Sequence, residues 1–168
     1  MELGRSVHVS SPSERVEALL FELGGQRFAL PISGVIELTR ACAVQVLPQA
    51  PPLVLGVLNL RGQVVPVLDL RRRLSLPETA LDPSDTFVFA QIAERRVALR
   101  VDRVLTIERL SAVPGAEVTH LPGLLAHLSG VAAVADGVVL IYDLEQFLSG
   151  SEAATLDEAL AAHRGAER

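Results

Sequence analysis

The chain has 168 residues, 49% of them hydrophobic, and a formal net charge of −5 at pH 7, which suits one domain or two small, closely joined ones with a well-formed core. The acidic balance, without a basic tail, argues against a nucleic-acid-binding protein. The single cysteine, Cys42, excludes a disulfide framework or a cysteine-based zinc site within one chain.

The beginning of the chain is expected to form a flexible tail. Residues 1–14 are polar and lack the apolar stretch of a secretory signal. No apolar run in the sequence approaches the ~18 residues that span a membrane. We therefore expect a cytoplasmic protein that does not insert directly into a membrane.

The first predicted elements are short strands. Glu17–Leu23 and Gln26–Leu30 flank Gly24-Gly25, a pattern typical of a tight β-hairpin. Further along the chain, Thr86–Ile92 and Arg96–Arg100 repeat this pattern about a turn at residues 94 and 95. Many short strands at regular spacing favour small β-barrels or a sandwich.

Two polar side chains interrupt the apolar segment Gly56–Leu70. Because a strand alternates its faces, Asn59 and Arg61 are predicted to point to one side of the same strand. Gly62 then allows a turn, and Val64–Leu68 is predicted as the next strand. Since no base, nucleophile or metal ligand adjoins the two side chains in the sequence, we interpret them as a recognition surface.

Two aspartates end predicted strands and precede short segments of helical periodicity. Asp69 comes before Leu70–Leu74, and Asp143 comes before Leu144–Leu148. A carboxylate in this position accepts hydrogen bonds from the backbone N–H groups that begin a helix. We therefore predict both as structural caps, and we interpret the cluster Arg71–Arg73 as the solvated face of the first short helix.

The chain repeats itself weakly. Gly56-Val57 recurs as Gly130-Val131, and the two capping aspartates keep the same spacing. Such internal symmetry favours two similar units, about residues 15–80 and 81–150. Because each unit is small, we expect the two to share an apolar interface.

The repeat also separates structural positions from functional ones. Glu37, Asn59 and Arg61 of the first unit correspond to a threonine and two alanines in the second. The polar trio is therefore not required by the fold, and we interpret it as a specific site. Asp102, which alternates with valines on a predicted strand, is a candidate for the same face, with a surface charge pair as the alternative.

The end of the chain predicts a helix over Ser151–Ala166. Ser151 is the candidate cap, with Glu152 behind it, and Leu156 and Leu160 belong to an apolar stripe. We expect this helix to pack on the body of the protein, and docking to a partner is the alternative.

Three segments in a fixed order carry a resemblance to a known family. They are Phe28–Glu37, Leu47–Pro51 and Gly56–Leu70, the last of which reads Gly-x-x-Asn-x-Arg-Gly-x-x-x-Pro-Val-x-Asp-Leu. They resemble the CheW family, the coupling scaffolds of bacterial chemosensory arrays, and the match runs from about residue 17 to about residue 150. The resemblance implies an all-β fold of two intertwined five-stranded SH3-like β-barrels, with short helices and a C-terminal helix and tail over residues 151–168. Exchange of strands between the two units stays open.

The resemblance also implies a function. It predicts a non-catalytic adaptor, without cofactor or metal, that couples chemoreceptors to a CheA-type histidine kinase at membrane-associated arrays. The expected partners are the regulatory domain of the kinase, the cytoplasmic tip of the receptor and other CheW-like domains in rings. The residues expected to bind receptor or kinase are Val35, Glu37, Asn59, Leu60, Arg61, Gly62 and Asp102, with Val131–Asp136 and the loop over residues 105–122 as weaker kinase-binding candidates.

A second function class stays open beside the adaptor. A small β-barrel regulatory domain could bind a small molecule or a peptide in a cleft between the barrels. An enzyme is disfavoured, because no general acid, base and nucleophile can be assembled from the sequence.

Overall fold

The computed structural model describes residues 14–114 and 128–166, which form ten strands and two α-helices. The predicted tail, residues 1–14, lies almost entirely outside the described residues. The strands are β1 (Glu14–Leu23), β2 (Gln26–Pro31), β3 (Val35–Arg40), β4 (Val54–Leu60), β5 (Gln63–Asp69), β6 (Thr86–Ile92), β7 (Arg95–Val101), β8 (Arg103–Pro114), β9 (Leu128–Val134) and β10 (Gly137–Tyr142). The helices are α1 (Leu70–Arg73) and α2 (Gly150–Ala166), and Ile32–Gly34 and Leu144–Gln146 form single 3₁₀ turns.

The ten strands form two five-stranded sheets. One is a closed barrel in the order β1-β2-β10-β9-β8, and the other, the central sheet, has the order β3-β6-β7-β5-β4. Each sheet joins antiparallel hairpins through one parallel pair, β2 with β10 and β5 with β7. The first hairpin of each sequence unit thus lies in the sheet of the other unit. The predicted all-β fold class with two intertwined five-stranded units is confirmed.

The first hairpin of each sequence unit contains backbone with positive φ at the turn. Gly24 and Gly25 have φ angles of 60° and 77°, the geometry of the two-residue turn that the glycine pair predicts. The corresponding β6–β7 turn consists of Ala93 and Glu94, one residue earlier than predicted, because β7 begins at Arg95. Ala93 carries the positive φ there, at 53°.

A single apolar core joins the two sheets. Alternate residues of β1 face opposite sides, so that Leu19 and Phe21 enter the shared core while Ala18 and Leu20 pack in a separate cluster of the closed barrel. Leu99 of β7 contributes to the same shared core from the central sheet. Because a fully buried apolar side chain contributes about 1.5–3 kcal/mol, this core accounts for the two units folding together.

The only tyrosine of the chain lies in this core. Tyr142 is fully buried, and its ring centroid is 5.7 Å from that of Phe28 and 5.8 Å from that of Phe147. Burial disfavours the charged phenolate and raises the pKa of Tyr142 to about 12. The unfolded chain would ionise near its reference value of about 10, so this residue stabilises the fold below pH ~10, and that contribution is lost as pH rises towards 12.

Absorbance titration can test the burial of Tyr142 without interference, because the chain has one tyrosine and no tryptophan. We expect tyrosinate absorbance to appear with a midpoint near pH 12 in the folded protein and about two units lower in urea. Circular dichroism recorded in parallel would separate ionisation from unfolding. A midpoint near 10 in a protein that is still folded would contradict the packing.

The C-terminal helix packs on the body of the protein, and Leu156 and Leu160 of α2 are buried in the shared core. Its cap is Ser149, not the predicted Ser151. The Ser149 Oγ accepts a hydrogen bond from the Glu152 N–H at 3.2 Å, and the Glu152 Oε1 accepts one from the Ser149 N–H at 3.0 Å, which makes a capping box. Burial raises the pKa of Glu152, but hydrogen bonds from Ser149 and Arg73 outweigh it and hold that pKa below its usual range.

The interpretation of the Arg71–Arg73 cluster as a solvated face is wrong. Arg71 is buried, and Arg73 forms an ion pair with Glu152 of α2. Only Arg72 is exposed, and it pairs with Glu78 at 3.2 Å. Arg73 thus connects α1 to α2, because its guanidinium group reaches a carboxylate that is distant in the sequence.

Asp69 and Asp143 both accept the hydrogen bond of a cap. The Asp69 Oδ1 lies 3.1 Å from the Arg71 backbone N, and the Asp143 Oδ1 lies 3.0 Å from the Glu145 backbone N. The two differ in their surroundings, because the other oxygen of Asp69 faces the buried guanidinium of Arg100 at 3.5 Å. Asp69 is therefore part of a buried ionic cluster as well as a cap.

No helix among the described residues is both long and apolar enough to cross a membrane.

Candidate functional site

The hairpin that joins β4 to β5 carries most of the predicted site. Leu60 pairs with Gln63, so Arg61 and Gly62 alone form the turn, with φ angles of 50° and 84°. Both angles are positive, as a two-residue turn of this hairpin type requires. The prediction that Arg61 lies on the strand face beside Asn59 is wrong, because β4 ends at Leu60 and the turn begins there.

Asn59 nevertheless acts on the same turn. Its Oδ1 accepts a hydrogen bond from the Gly62 N–H at 2.8 Å. Side-chain amides of this kind stabilise a turn by substituting for a backbone acceptor. Asn59 thus holds the backbone conformation in which the Arg61 side chain is presented to solvent.

Arg61 forms an ion pair with Glu37 of β3. The distance between Arg61 Nη2 and Glu37 Oε2 is 3.1 Å, and the side chains are 76% and 25% exposed. β3 and β4 are the two edges of the central sheet, so the pair joins one edge to the hairpin at the other. An exposed pair of this kind contributes only ~0–1 kcal/mol to stability.

Apolar residues adjoin both members of the ion pair along the chain. Val35 is half-buried against the shared core, and Leu60 packs on the buried cluster of the central sheet. Ile36 and Leu38 point away from the core and are 43% exposed each. The structure therefore brings six predicted residues to one region, here called the hairpin surface: Val35, Glu37, Asn59, Leu60, Arg61 and Gly62.

Asp102 does not belong to the hairpin surface. Its carboxylate accepts hydrogen bonds from Arg71 Nη2 at 2.5 Å and from the Gly24 N–H at 2.9 Å. β5 and β7 are parallel, and Asp69 of β5 pairs with Arg100 of β7. Asp102 therefore follows the C-terminal end of these two strands, whereas Arg61 precedes their N-terminal end. At about 3.3 Å per strand residue, the separation is on the order of 20 Å or more.

The contacts of Asp102 connect the two sheets. Arg71 lies in α1, directly after β5 of the central sheet, and Gly24 lies in the β1–β2 turn of the closed barrel. Because the Asp102 carboxylate is hydrogen-bonded to both Arg71 and Gly24, it fixes the closed barrel against the central sheet. Any binding role of Asp102 stays a prediction beside this structural one.

A groove between the closed barrel and the central sheet is small. It is lined by the 3₁₀ turn at Ser33 and Gly34, by Gln91 of β6 and by Asp143–Glu145, and its volume is about 140 Å³. Small-molecule sites usually enclose about 300–1,000 Å³. The groove therefore gives no support to the small-molecule form of the alternative function, and its peptide form stays a prediction.

The described part of the chain holds no group of three or more side chains that could ligate a metal ion. The hairpin surface instead combines a fixed turn, an exposed guanidinium and flanking apolar side chains. Such a combination is typical of protein–protein contact.

Comparison with known proteins decides the family. The family model for the CheW-like domain matches residues 17–152. The chain belongs to the CheW family. This membership places it among the chemotaxis scaffold proteins.

Individual relatives cover most of the chain. It is 29% identical over 152 residues to the chemotaxis protein CheW of Klebsiella aerogenes, which covers 88% of this chain and 90% of the relative. It is 35% identical over 120 residues to protein FrzA of Myxococcus xanthus, which covers 68% and 72%. The crystal structure of the scaffolding protein TtCheW from Thermoanaerobacter tengcongensis superposes with a TM-score of 0.73 at 23% identity, over 83% of this chain and 96% of that one. This likeness shows the shared fold.

Proposed function

We propose that the chain is a non-catalytic adaptor that couples chemoreceptors to a CheA-type histidine kinase in a bacterial chemosensory array. The observation that carries the proposal is the exposed Arg61–Glu37 pair of the hairpin surface. CheW-family membership supplies the class of partner, and the geometry of the pair supplies the candidate contact.

The backbone conformation of Arg61 supports a role in binding a partner, as opposed to a role in stabilising the fold. Its φ of 50° lies in the left-handed region, which costs a residue with a side chain roughly 1–2 kcal/mol relative to glycine. The ion pair, at ~0–1 kcal/mol, does not clearly offset that cost. An arginine retained at a strained, exposed position is best explained by what its guanidinium contacts in a partner.

The second repeat supports the same interpretation. Its hairpin joins β9 to β10 through Ala135 and Asp136, so an alanine stands where the first repeat has Arg61. Asp136 pairs there with Arg27 at 2.7 Å, and the charge presented by the turn is reversed. The two hairpins therefore offer chemically different surfaces.

Each partner is assigned to a different part of the molecule. The receptor's cytoplasmic tip would dock along the hairpin surface, beside the groove between the sheets. The regulatory domain of the kinase and other CheW-like domains would meet a separate surface patch, with Val131–Asp136 of the closed barrel as a candidate. The protein would act in the cytoplasm at membrane-associated arrays.

Replacing Arg61 by alanine tests the proposal. We expect the free energy of unfolding to change by less than about 1 kcal/mol, because an exposed pair is lost and the backbone strain remains. Binding to the receptor tip or the kinase regulatory domain should weaken about tenfold or more, as for a central interface arginine. The measurement is a pull-down of the purified protein with each partner, quantified by titration.

Arg103→Ala is the matched control. Arg103 is also exposed and pairs with one carboxylate, Glu22, at 3.0 Å, but it lies on β8 of the closed barrel. The Arg103→Ala variant should bind the receptor tip and the kinase regulatory domain as the wild type does. If the folded wild-type protein binds neither partner, the adaptor function is wrong, and if Arg61→Ala unfolds the protein, the pair is structural.

A further inference from the structure

A large open cleft lies between α2 and the hairpin end of the central sheet. Its volume is about 1200 Å³, and Val64–Pro66 of β5, Ile92 of β6 and Leu160 of α2 give it an apolar floor. The cleft exceeds the roughly 300–1,000 Å³ of ordinary small-molecule sites. It is long enough to accept several residues of a polypeptide.

The rim of the cleft carries an excess of positive charge. Arg95, Arg96 and Arg164 line it, against two carboxylates, Glu94 and Asp157. Arg95 is already paired with Asp157. The remaining two guanidinium groups are available for a ligand, in a chain whose net charge is −5.

These two arginines lack a carboxylate partner within the described residues. Arg96 donates one hydrogen bond, from Nη1 to the neutral Oε1 of Gln63 at 3.2 Å. Arg164, in the last turn of α2, is exposed and forms no ion pair with the described part of the chain. Guanidinium groups bind carboxylates through paired, planar hydrogen bonds, so the rim is suited to acidic side chains.

We propose that this cleft binds an acidic peptide segment of a partner protein. Apolar side chains of the segment would cover Val64–Pro66, and its carboxylates would reach Arg96 and Arg164. Arg96 lies on a strand and Arg164 on a helix, so a peptide segment that contacts both guanidinium groups spans the cleft. Among the described residues, no aromatic side chain lines the cleft, which disfavours stacked nucleic-acid bases.

The walls of the cleft are held in place before any ligand binds. Leu156 and Leu160 of α2 are buried, and the Arg95–Asp157 ion pair ties the helix to the β6–β7 turn. A preformed cleft reduces the ordering cost of binding. The cleft adjoins the hairpin surface at Gly62, but the guanidinium of Arg61 is directed to Glu37 instead, so this inference does not depend on the adaptor function.

The test is an NMR titration of the ¹⁵N-labelled full chain with a short synthetic peptide of alternating glutamate and leucine. We expect saturable amide shifts confined to residues 62–65, 91–96 and 157–164. The double variant Arg96→Gln/Arg164→Gln should bind the peptide about tenfold or more weakly, since two charge-assisted contacts are lost. The charge-matched control Arg103→Gln/Arg109→Gln, on β8, should bind as the wild type does.

Several results would overturn the inference. Equal weakening by the control variant would show non-specific attraction. Equal binding of a glutamine-leucine peptide would show that the arginines do not select acidic ligands. Shifts of the same amides by inorganic phosphate, without tighter binding of the peptide, would show a simple anion site. Each of these results leaves the pull-down with receptor and kinase unaffected, so the two proposals fail separately.

Discussion

Replacing Arg100 by methionine should lower the free energy of unfolding by about 3–5 kcal/mol, the range for breaking a buried ion pair by removing one partner. Arg100 is 1% exposed. Its Nε lies 2.9 Å from Asp85 Oδ2, and its Nη1 lies 3.5 Å from Asp69 Oδ2. Methionine fills much of the space but leaves two buried carboxylates without their counter-ion.

The same guanidinium also holds the chain that crosses between the sequence units. It donates to the carbonyl oxygens of Thr79 and Ala80 at 2.9 and 2.6 Å. Both residues lie in the segment between α1 and β6, which has no regular secondary structure. Loss of Arg100 should therefore release this segment, and hydrogen exchange should become faster at residues 77–85.

Urea unfolding monitored by circular dichroism measures the loss, with Arg103→Met as the control. Arg103 is 65% exposed and pairs with Glu22, so its replacement should cost no more than about 1 kcal/mol. Adding Asp85→Asn to Arg100→Met should restore part of the stability, because one uncompensated charge is removed. If Arg100→Met costs less than about 1 kcal/mol, the buried cluster is not what holds the crossover segment.

Arg100 also shows why part of this structure could not be predicted from the sequence. It follows Val97-Ala98-Leu99 on a strand whose alternation is easily read. Its partners Asp85 and Asp69 are 15 and 31 residues away, and no local pattern connects them. The same holds for Arg71 and Asp102, also 31 residues apart, which explains why Asp102 was expected on the hairpin surface.

The features that were predicted well depend on local chemistry. Gly24-Gly25 indicates its turn because only glycine adopts two successive positive φ angles easily. The polar trio became a candidate site because the internal repeat lacks it; the structure brings its three members to one region, and its role in binding stays a prediction. The detail that failed, the position of Arg61, needed the exact end of β4, and element boundaries are the least certain part of a prediction from sequence.

Gly56, a residue that recurs in the second repeat, allows the close backbone contact that holds β4, the strand that leads into the hairpin surface. Its Val57 neighbour exchanges two backbone hydrogen bonds with Gln45, at 2.7 and 2.8 Å, which attach the loop before β4 to that strand. A Cβ on Gly56 would lie 2.3 Å from the Gln45 carbonyl oxygen and 2.9 Å from its carbon. These are backbone atoms, so no rotation of a side chain can relieve the contact.

Gly56→Ala should therefore lower the free energy of unfolding by about 3 kcal/mol, from overpacking together with the weakening of both hydrogen bonds. Gly150→Ala is the control, because no atom lies within 4 Å of a Cβ there, and its effect should stay within about 1 kcal/mol. Chemical unfolding measures both, and exchange of the Val57 amide hydrogen reports the local break. A Gly56→Ala protein with unchanged stability and a protected Val57 amide would show that the loop moves aside without cost. If the expected loss occurs, binding through the hairpin surface should weaken as well, because β4 carries Asn59 and leads directly into the turn that presents Arg61.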